Sequence, residues 1–241
     1  MEEKRYAIVT GGNRGIGLEI CRQLASNGVY VILTSRNQSR GEEAVEKLNV
    51  SGLPNVFFHQ LDINDPSSIA CLVKFVQTHF GKLDILVNNA AEVGLIIHDK
   101  EFKAGGGFWF HNDKLKEELQ DIDNLTEERI DEIIQWFLSD FKAGKLQKNG
   151  WPLTVSAYKV SKTALNAYTR LMARKFENIL VNCVHPGYVM TDMTNQTGFI
   201  TVEEGAKGLV MTALLPNNGP SGVYFDQTQI ATFSSTSNPF I

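Results

Sequence analysis

The stretch Tyr6-Ala7-Ile8-Val9-Thr10-Gly11-Gly12-Asn13-Arg14-Gly15-Ile16-Gly17 decides the fold. Residues 6–10 form a short apolar run of strand formers, and the glycines that follow mark a turn. Ile16, Ile20 and Leu24 then recur every fourth residue until Gly28, the spacing of an amphipathic helix with a glycine stop. A strand, a Gly-rich turn and a helix in that order open a βαβ unit. At such a turn the free backbone N–H groups and the positive end of the helix dipole offer a seat for a nucleotide pyrophosphate. Glycine permits both the tight turn and the close approach.

Working outward, residues 29–34 read as a second strand, 41–49 as a short polar helix and 56–60 as a third strand. Asp65 as N-cap with Pro66 at the first helical position starts another helix, whose Ile69, Val73, Val76 and Phe80 are expected to form its apolar face before Gly81. Residues 83–87 are a fourth strand. This alternation predicts a doubly wound α/β Rossmann fold, a parallel sheet covered on both faces. Beyond Ala91 the rhythm breaks: 95–97 are apolar, 103–110 hold three consecutive glycines and an aromatic cluster, and no strand is expected before Asn124. Thr126 begins a helix whose Ile130, Ile133, Ile134, Phe137, Leu138 and Phe141 make a stripe expected to pack on the body of the protein. The α/β rhythm resumes after Pro152, with a helix over 156–176, a strand over 179–184, a capping box at Thr201 and Glu204, and a last strand over 222–225.

The 241 residues are 43% apolar, 21% charged and 10% aromatic, values of a globular chain rather than a disordered one. A net charge of -4 and a pI near 5.8 give no general attraction for phosphate polymers. Neither nucleic acid nor a membrane is expected as a partner, since no apolar run approaches a membrane span. The N-terminus lacks a signal-peptide pattern, which makes the cytoplasm the expected location. Cys21, Cys71 and Cys183 lack metal-ligand spacing and are read as small buried thiols, with no metal site expected.

Two further motifs carry chemistry. An acidic residue ending the second strand would hold ribose hydroxyls and repel a 2′-phosphate; this chain has Thr34-Ser35-Arg36 there, with Arg14 in the Gly-rich turn. Two guanidinium groups favour a phosphate through bidentate, charge-assisted hydrogen bonds, so NADP(H) is the expected cofactor. In Tyr158-Lys159-Val160-Ser161-Lys162, residues Tyr158 and Lys162 are four apart on one helix face. An ammonium near a phenol favours phenolate and is expected to bring Tyr158 towards neutral-pH proton exchange, which suits carbonyl reduction.

The ordered motifs Thr10-Gly11-x-x-x-Gly15-Ile16-Gly17, Leu61-Asp62-Ile63, Asn88-Asn89-Ala90, Tyr158-x-x-x-Lys162 and Pro186-Gly187-Tyr188-Val189-Met190-Thr191 resemble the short-chain dehydrogenases/reductases. The resemblance implies one NADP-binding Rossmann domain over 1–241. Its implied cofactor contacts are Gly11, Asn13, Arg14, Gly15, Ile16 and Gly17 in the turn and Arg36 after the second strand. Asp62 and Ile63 would lie by the adenine, Asn89 by the adenosine ribose, and Pro186, Gly187, Val189 and Thr191 by the nicotinamide. Lys162 is implied to bind the nicotinamide ribose and Tyr158 to be the catalytic acid/base. The acidic helix after Asn124, Gly150-Trp151-Pro152 and the Ser156–Lys162 motif look like the plant menthone/neomenthol and salutaridine reductase branch. That implies an inserted helical segment at about 111–150, a monomer, and reduction of a ketone in an apolar terpenoid- or alkaloid-like substrate.

The chain departs from the family pattern in one place. A helix carrying an Asn and a fifth strand ending in the catalytic Ser are expected between Ala91 and Phe110, and neither is found. Ser139 and Ser156 do not end a strand, and Asn112 and Asn124 lack the helical context, so none takes those roles. Losing a donor to the carbonyl oxygen costs about 10²–10³ in rate. The alternative reading is therefore a shortened, catalytically impaired isoform that at most binds nucleotide.

Overall fold

The computed structural model describes residues 3–92 and 112–232; the apolar 95–97 and the glycine-rich 103–110 lie outside them. The elements in chain order begin with β1 (Tyr6–Val9), α1 (Gly15–Ser26), β2 (Tyr30–Ser35), α2 (Gln38–Val50), β3 (Val56–Gln60), α3 (Pro66–His79) and β4 (Ile85–Val87). They continue with α4 (Asp113–Gln120), α5 (Glu127–Lys142), α6 (Ser156–Lys175), β5 (Cys183–His185), a 3-10 turn (Asp192–Thr194), α7 (Val202–Ala213), β6 (Tyr224–Asp226) and β7 (Gln229–Ala231). Contacts within the chain gather these into two compact units, 1–92 with 186–215 and 93–185 with 216–241.

The first unit is a parallel sheet in the order β3-β2-β1-β4. Helices α1, α2 and α7 cover one face, where Ile20, Leu24, Ala44, Leu48, Ala206 and Val210 close over Ala7, Val9, Val31 and Leu33. The other face carries α3, packed through Leu72 and Val76 on Ile8, Ile32 and Leu61. The doubly wound α/β arrangement follows from strands that are apolar on both sides. The α3 face differs from the sequence expectation: Leu72 and Val76 are buried, but Ile69 and Val73 are 42% and 49% exposed. Leu72, Phe75, Val76 and Phe80 turn towards the sheet instead, so the helix is rotated onto the flank beside the expected stripe. The register Ile8↔Leu86 puts Leu86 on the same side as Ile8 and Ile32. Leu86 is nevertheless 54% exposed, because α3 covers β1 and β2 but not β4. Among the described residues no strand pairs with the other edge of β4.

The second unit joins a helical cluster to a three-stranded sheet, β5-β6-β7, whose first pair is parallel and second antiparallel. The helical core is Leu115, Leu119, Leu125, Ile130, Ile133, Phe137, Trp151, Val160, Ala164 and Ala167. The fully buried Trp151 stacks edge-on against Trp136 and Phe137 and donates its indole N–H to Asp140 at 2.8 Å. The α5 stripe is thus packed as expected through Ile130, Ile133 and Phe137, while Leu138 and Phe141 remain exposed.

Several local expectations are corrected. Helix α4 falls in the helical segment expected at about 111–150, and only Leu115 and Leu119 of it are buried, too few to mark its bounds in the sequence. Strand β5 starts at Cys183 rather than 179, because Val181 and Asn182 are tied to 220–223 by the side chains of Ser221 and Asn182. The three-residue β7, two of whose residues are exposed, has no apolar pattern that marks it in the sequence. Cys21 is buried and Cys183 half-buried, but Cys71, on the outer side of α3, is exposed.

Candidate functional site

The first unit holds the residues expected to contact a nucleotide other than Tyr158 and Lys162. Gly11 and Gly15 have φ of +64° and +55°, backbone that side chains rarely adopt. A Cβ at Gly17 would lie 2.4 Å from both Asn89 Nδ2 and the Gly11 carbonyl oxygen. Asn89 donates to the carbonyls of Thr10 (2.9 Å) and Gly11 (3.3 Å), and the Thr10 hydroxyl oxygen accepts the backbone N–H of Asn89 and of Ala90, both at 2.9 Å. The sequence places Thr10 at the end of the first strand and the head of the glycine motif; its role as organiser depends on partners 79 and 80 residues away and has no local signature.

The helix starts divide into capped and uncapped ones, with α1 and α6 uncapped and without an acidic residue in the first turn. Helices α2, α3, α4, α5 and α7 each carry a side-chain cap, from Asn37, Asp65, Asn112, Thr126 and Thr201 respectively. Arg14 precedes α1 with no side-chain cap, and the first turn holds no acidic residue. That leaves N–H groups and a positive dipole end at a bare glycine backbone, a set of donors that fits a pyrophosphate.

The remaining nucleotide residues are placed as follows. Asn13 is half-buried beside Arg14, and Ile16 packs against the core. Arg14 pairs with Asp192 at 3.1 Å, both side chains about two-thirds exposed. Arg36 is exposed, its carbonyl accepting from the Gln60 side chain. The Asp62 carboxylate accepts the Asn64 N–H and its own N–H reaches Ser68, which leaves Ile63 46% exposed at the tip of that loop. The segment from Pro186 and Gly187 passes through Val189, 2% exposed, which pairs with Ile200 and packs against Gly205. Thr191 starts the 3-10 turn and its methyl lies 3.6 Å from where a Gly15 Cβ would stand.

Tyr158 and Lys162 belong to the second unit, on α6. That helix has two opposed stripes. Val160, Ala164 and Ala167 pack on α5 and Trp151, and Arg170, Arg174 and Lys175 tie the same helix to Gln120, Asp123 and Glu127. Tyr158, Lys162 and Thr169 lie on the other stripe. The Lys162 ammonium sits 5.6 Å over the Tyr158 ring centre. Burial raises the Tyr158 phenol above its ordinary range and pulls the Lys162 ammonium below its own. The expected lowering of the phenol by the ammonium is therefore not what this structure has: the cation lies against the ring face, and loss of water dominates both groups. Ser156 is the buried first residue of α6, and Ser139 is exposed on α5; neither ends a strand.

Residues 5–105 match the short chain dehydrogenase family, and 146–215 match the family described as enoyl-(acyl carrier protein) reductase. The chain is 42% identical to a (+)-neomenthol dehydrogenase of Arabidopsis thaliana, over 96% of this chain and 99% of that one. The chain belongs to the short-chain dehydrogenases/reductases. It is an oxidoreductase by that membership, and its likeness to plant members extends to solved structures. Salutaridine reductase from Papaver somniferum superposes with a TM-score of 0.86 at 39% identity, covering 92% of this chain and 99% of that one. Menthone neomenthol reductase from Mentha piperita gives 0.77 at 34%, covering 94% and 99%. The alignment with the Arabidopsis relative runs over 294 positions against 241 residues here, so at least 53 of them (294 less 241) face a gap in this short-chain dehydrogenase. The described strands form one sheet of four and one of three.

Proposed function

We propose that the protein is an NADPH-dependent carbonyl reductase acting on a small, apolar, terpenoid- or alkaloid-like ketone. The observation that carries this reading is the positive-φ glycine turn that opens the uncapped α1, closed on Asn89 and gathered with the Pro186–Thr191 segment in one unit. When bound, the dinucleotide supplies a hydride to the carbonyl carbon. Arg14 and Arg36 would hold a 2′-phosphate, Gly11, Gly15, Ile16 and Gly17 would present N–H groups to the pyrophosphate, and Lys162 would hold the nicotinamide ribose. Tyr158 would give its phenolic proton to the carbonyl oxygen; the raised pKa keeps that proton in place at neutral pH. The substrate class is supported by the relatives named neomenthol dehydrogenase and salutaridine reductase. The same reading takes 1–241 as a single NADP-binding domain acting as a cytoplasmic monomer; among the described residues no helix is long and apolar enough to cross a membrane.

A second reading, nucleotide binding without turnover, is favoured by the open edge of β4 and by the ends of the described strands, of which only β2 closes on a serine, Ser35 next to Arg36. The purified chain is to be assayed for NADPH oxidation with menthone-type cyclic ketones, beside calorimetric binding of NADPH and NADH. Turnover that falls about 10²-fold or more in Tyr158→Phe supports the reductase. Binding without turnover supports the second reading, and no binding overturns both.

A further inference from the structure

Among the described residues, α6 is the one α-helix that starts from left-handed backbone. Arg14, Asn37, Asp65, Asn112, Thr126 and Thr201 enter their helices extended, the ordinary geometry of an N-cap. Val155 enters α6 with φ 51° and ψ 35° and makes no side-chain cap. Apart from glycine, the other described residues at positive φ are Asn195, Gln196 and Gln227. A β-branched residue in that region is an outlier that persists only where its surroundings fix it. The chain thus forgoes both a cap and a relaxed backbone at the residue three before Tyr158.

What fixes Val155 lies on both sides of it. Its carbonyl accepts the Lys159 N–H at 3.0 Å, and the Lys159 ammonium reaches back to the Thr154 hydroxyl at 3.2 Å, so two bonds span Tyr158. On the other side, the fully buried Trp151 gives its backbone N–H to the Leu146 carbonyl at 2.9 Å and its indole N–H to Asp140. Asn149 donates to the same Asp140 oxygen at 2.6 Å, and these two donors hold the buried carboxyl below the usual carboxylate range. Asp140 stands in the last turn of α5, where the helix dipole disfavours an anion; what it contributes is the hold on Asn149 and Trp151. Pro152 is buried next to Trp151, and only Leu153, Thr154 and Val155 lead from there to the buried Ser156. With both ends held, the turn falls on Val155.

We propose that the elbow 151–155, held through Trp151 by Asp140 and turned at Val155, positions Tyr158, with Asp140 and Val155 as its positioning residues. The proposal rests on the reading of Tyr158 as proton donor. A phenol that has to meet a carbonyl oxygen within hydrogen-bond reach gains from a helix start that cannot rock. The elbow gives up fold stability at Val155 and at Asp140 and keeps the first turn of α6 in one place. A Tyr158 that swings away from that place regains water, and its phenol, now raised by burial, ionises closer to its ordinary range.

Ionisation of Tyr158 is followed in the full chain by NMR of ring-labelled tyrosine at about pH 10.5, with the signal assigned by Tyr158→Phe and folding at that pH checked by urea unfolding. Val155→Pro sets φ at about −65° and cannot hold the turn. Its ratio of phenolate to phenol is expected to rise about threefold or more. Asp140→Asn weakens the hold on both donors without removing the side chain; it is expected to move the ratio in the same direction, and it decides the matter by itself if Val155→Pro does not fold. In an active protein the same variants are expected to lower kcat about tenfold while KM for NADPH stays within about twofold. Val155→Asn takes the left-handed backbone at less cost, and is expected to raise the melting temperature and leave both the ratio and kcat in place. A ratio unmoved in the folded variants overturns the proposal whether or not the chain turns over a ketone. A shift in Val155→Asn also overturns it, because the turn is then not what counts. Loss of turnover with the ionisation changes intact would sink only the reductase reading.

Discussion

Thr10 and Asn89 clasp one another in both directions: the threonine hydroxyl oxygen accepts the asparagine backbone N–H, and the asparagine side chain donates to the threonine carbonyl. The hydroxyl also takes the Ala90 N–H, so one side chain pins the end of β4 to the start of the glycine turn. Thr10→Val keeps the shape and strands two shielded donors, at a cost of about 3 kcal/mol. Urea unfolding is expected to show that loss, and NADPH affinity to fall with it; an unchanged midpoint would mean that the clasp carries no stability.

Gly17→Ala tests the close approach beside the same clasp. The new methyl would stand 2.4 Å from Asn89 Nδ2 and the Gly11 carbonyl, where backbone has to give way. The variant is expected to lose NADPH affinity by about tenfold or more. Gly28→Ala is the comparison: its Cβ meets nothing within 4 Å, so only the strain of a φ of +78° is added, and nucleotide affinity is expected to hold in calorimetry.

Arg14 is engaged with Asp192 across open solvent, and an exposed pair of this kind contributes little to stability. Asp192→Ala is expected to leave the melting temperature within about 2 °C and NADPH affinity equal or higher. Arg14→Ala and Arg36→Ala are expected to weaken NADPH by about tenfold each while sparing NADH. Equal losses for both nucleotides would remove the two arginines from phosphate recognition.

Alkaline conditions act on the buried thiols. Burial pushes Cys183 up to about 12 and Cys21 higher still, from an unfolded value of 9.0. Both stay protonated in the folded chain and ionise once it unfolds, so unfolding releases protons and rising pH favours it. Stability is fully present below pH 9 and is expected to fall from there through about 12 by about 1.4 kcal/mol per pH unit per thiol. Denaturant titrations of Cys183→Ala between pH 8 and about 10 should show a shallower decline than the parent.

What could be read in the sequence was whatever chemistry is local. The Gly11–Gly17 turn, the caps at Asp65, Thr126 and Thr201 and the i,i+4 spacing of Tyr158 and Lys162 are decided within a few residues, and each stands where expected. Asp192 beside Arg14, Thr10 against Asn89 and Asp226 against His185 are bonds between residues 41 to 178 apart, which no window of sequence contains. The pKa of Tyr158 escaped for a related reason. Spacing tells which groups share a face, whereas the amount of water left around them is set by everything packed over that face.

The position of Leu86 bears on how long such a chain would last in a cell. A leucine in line with Ile8 and Ile32 yet half in solvent lies beside strand N–H and C=O groups that no described strand takes up. Chaperones and other nascent strands bind that combination of aliphatic surface and open ladder. The open edge of β4 therefore acts first on abundance: the amount of folded protein that escapes capture and proteolysis limits what the chain can do before any rate constant does.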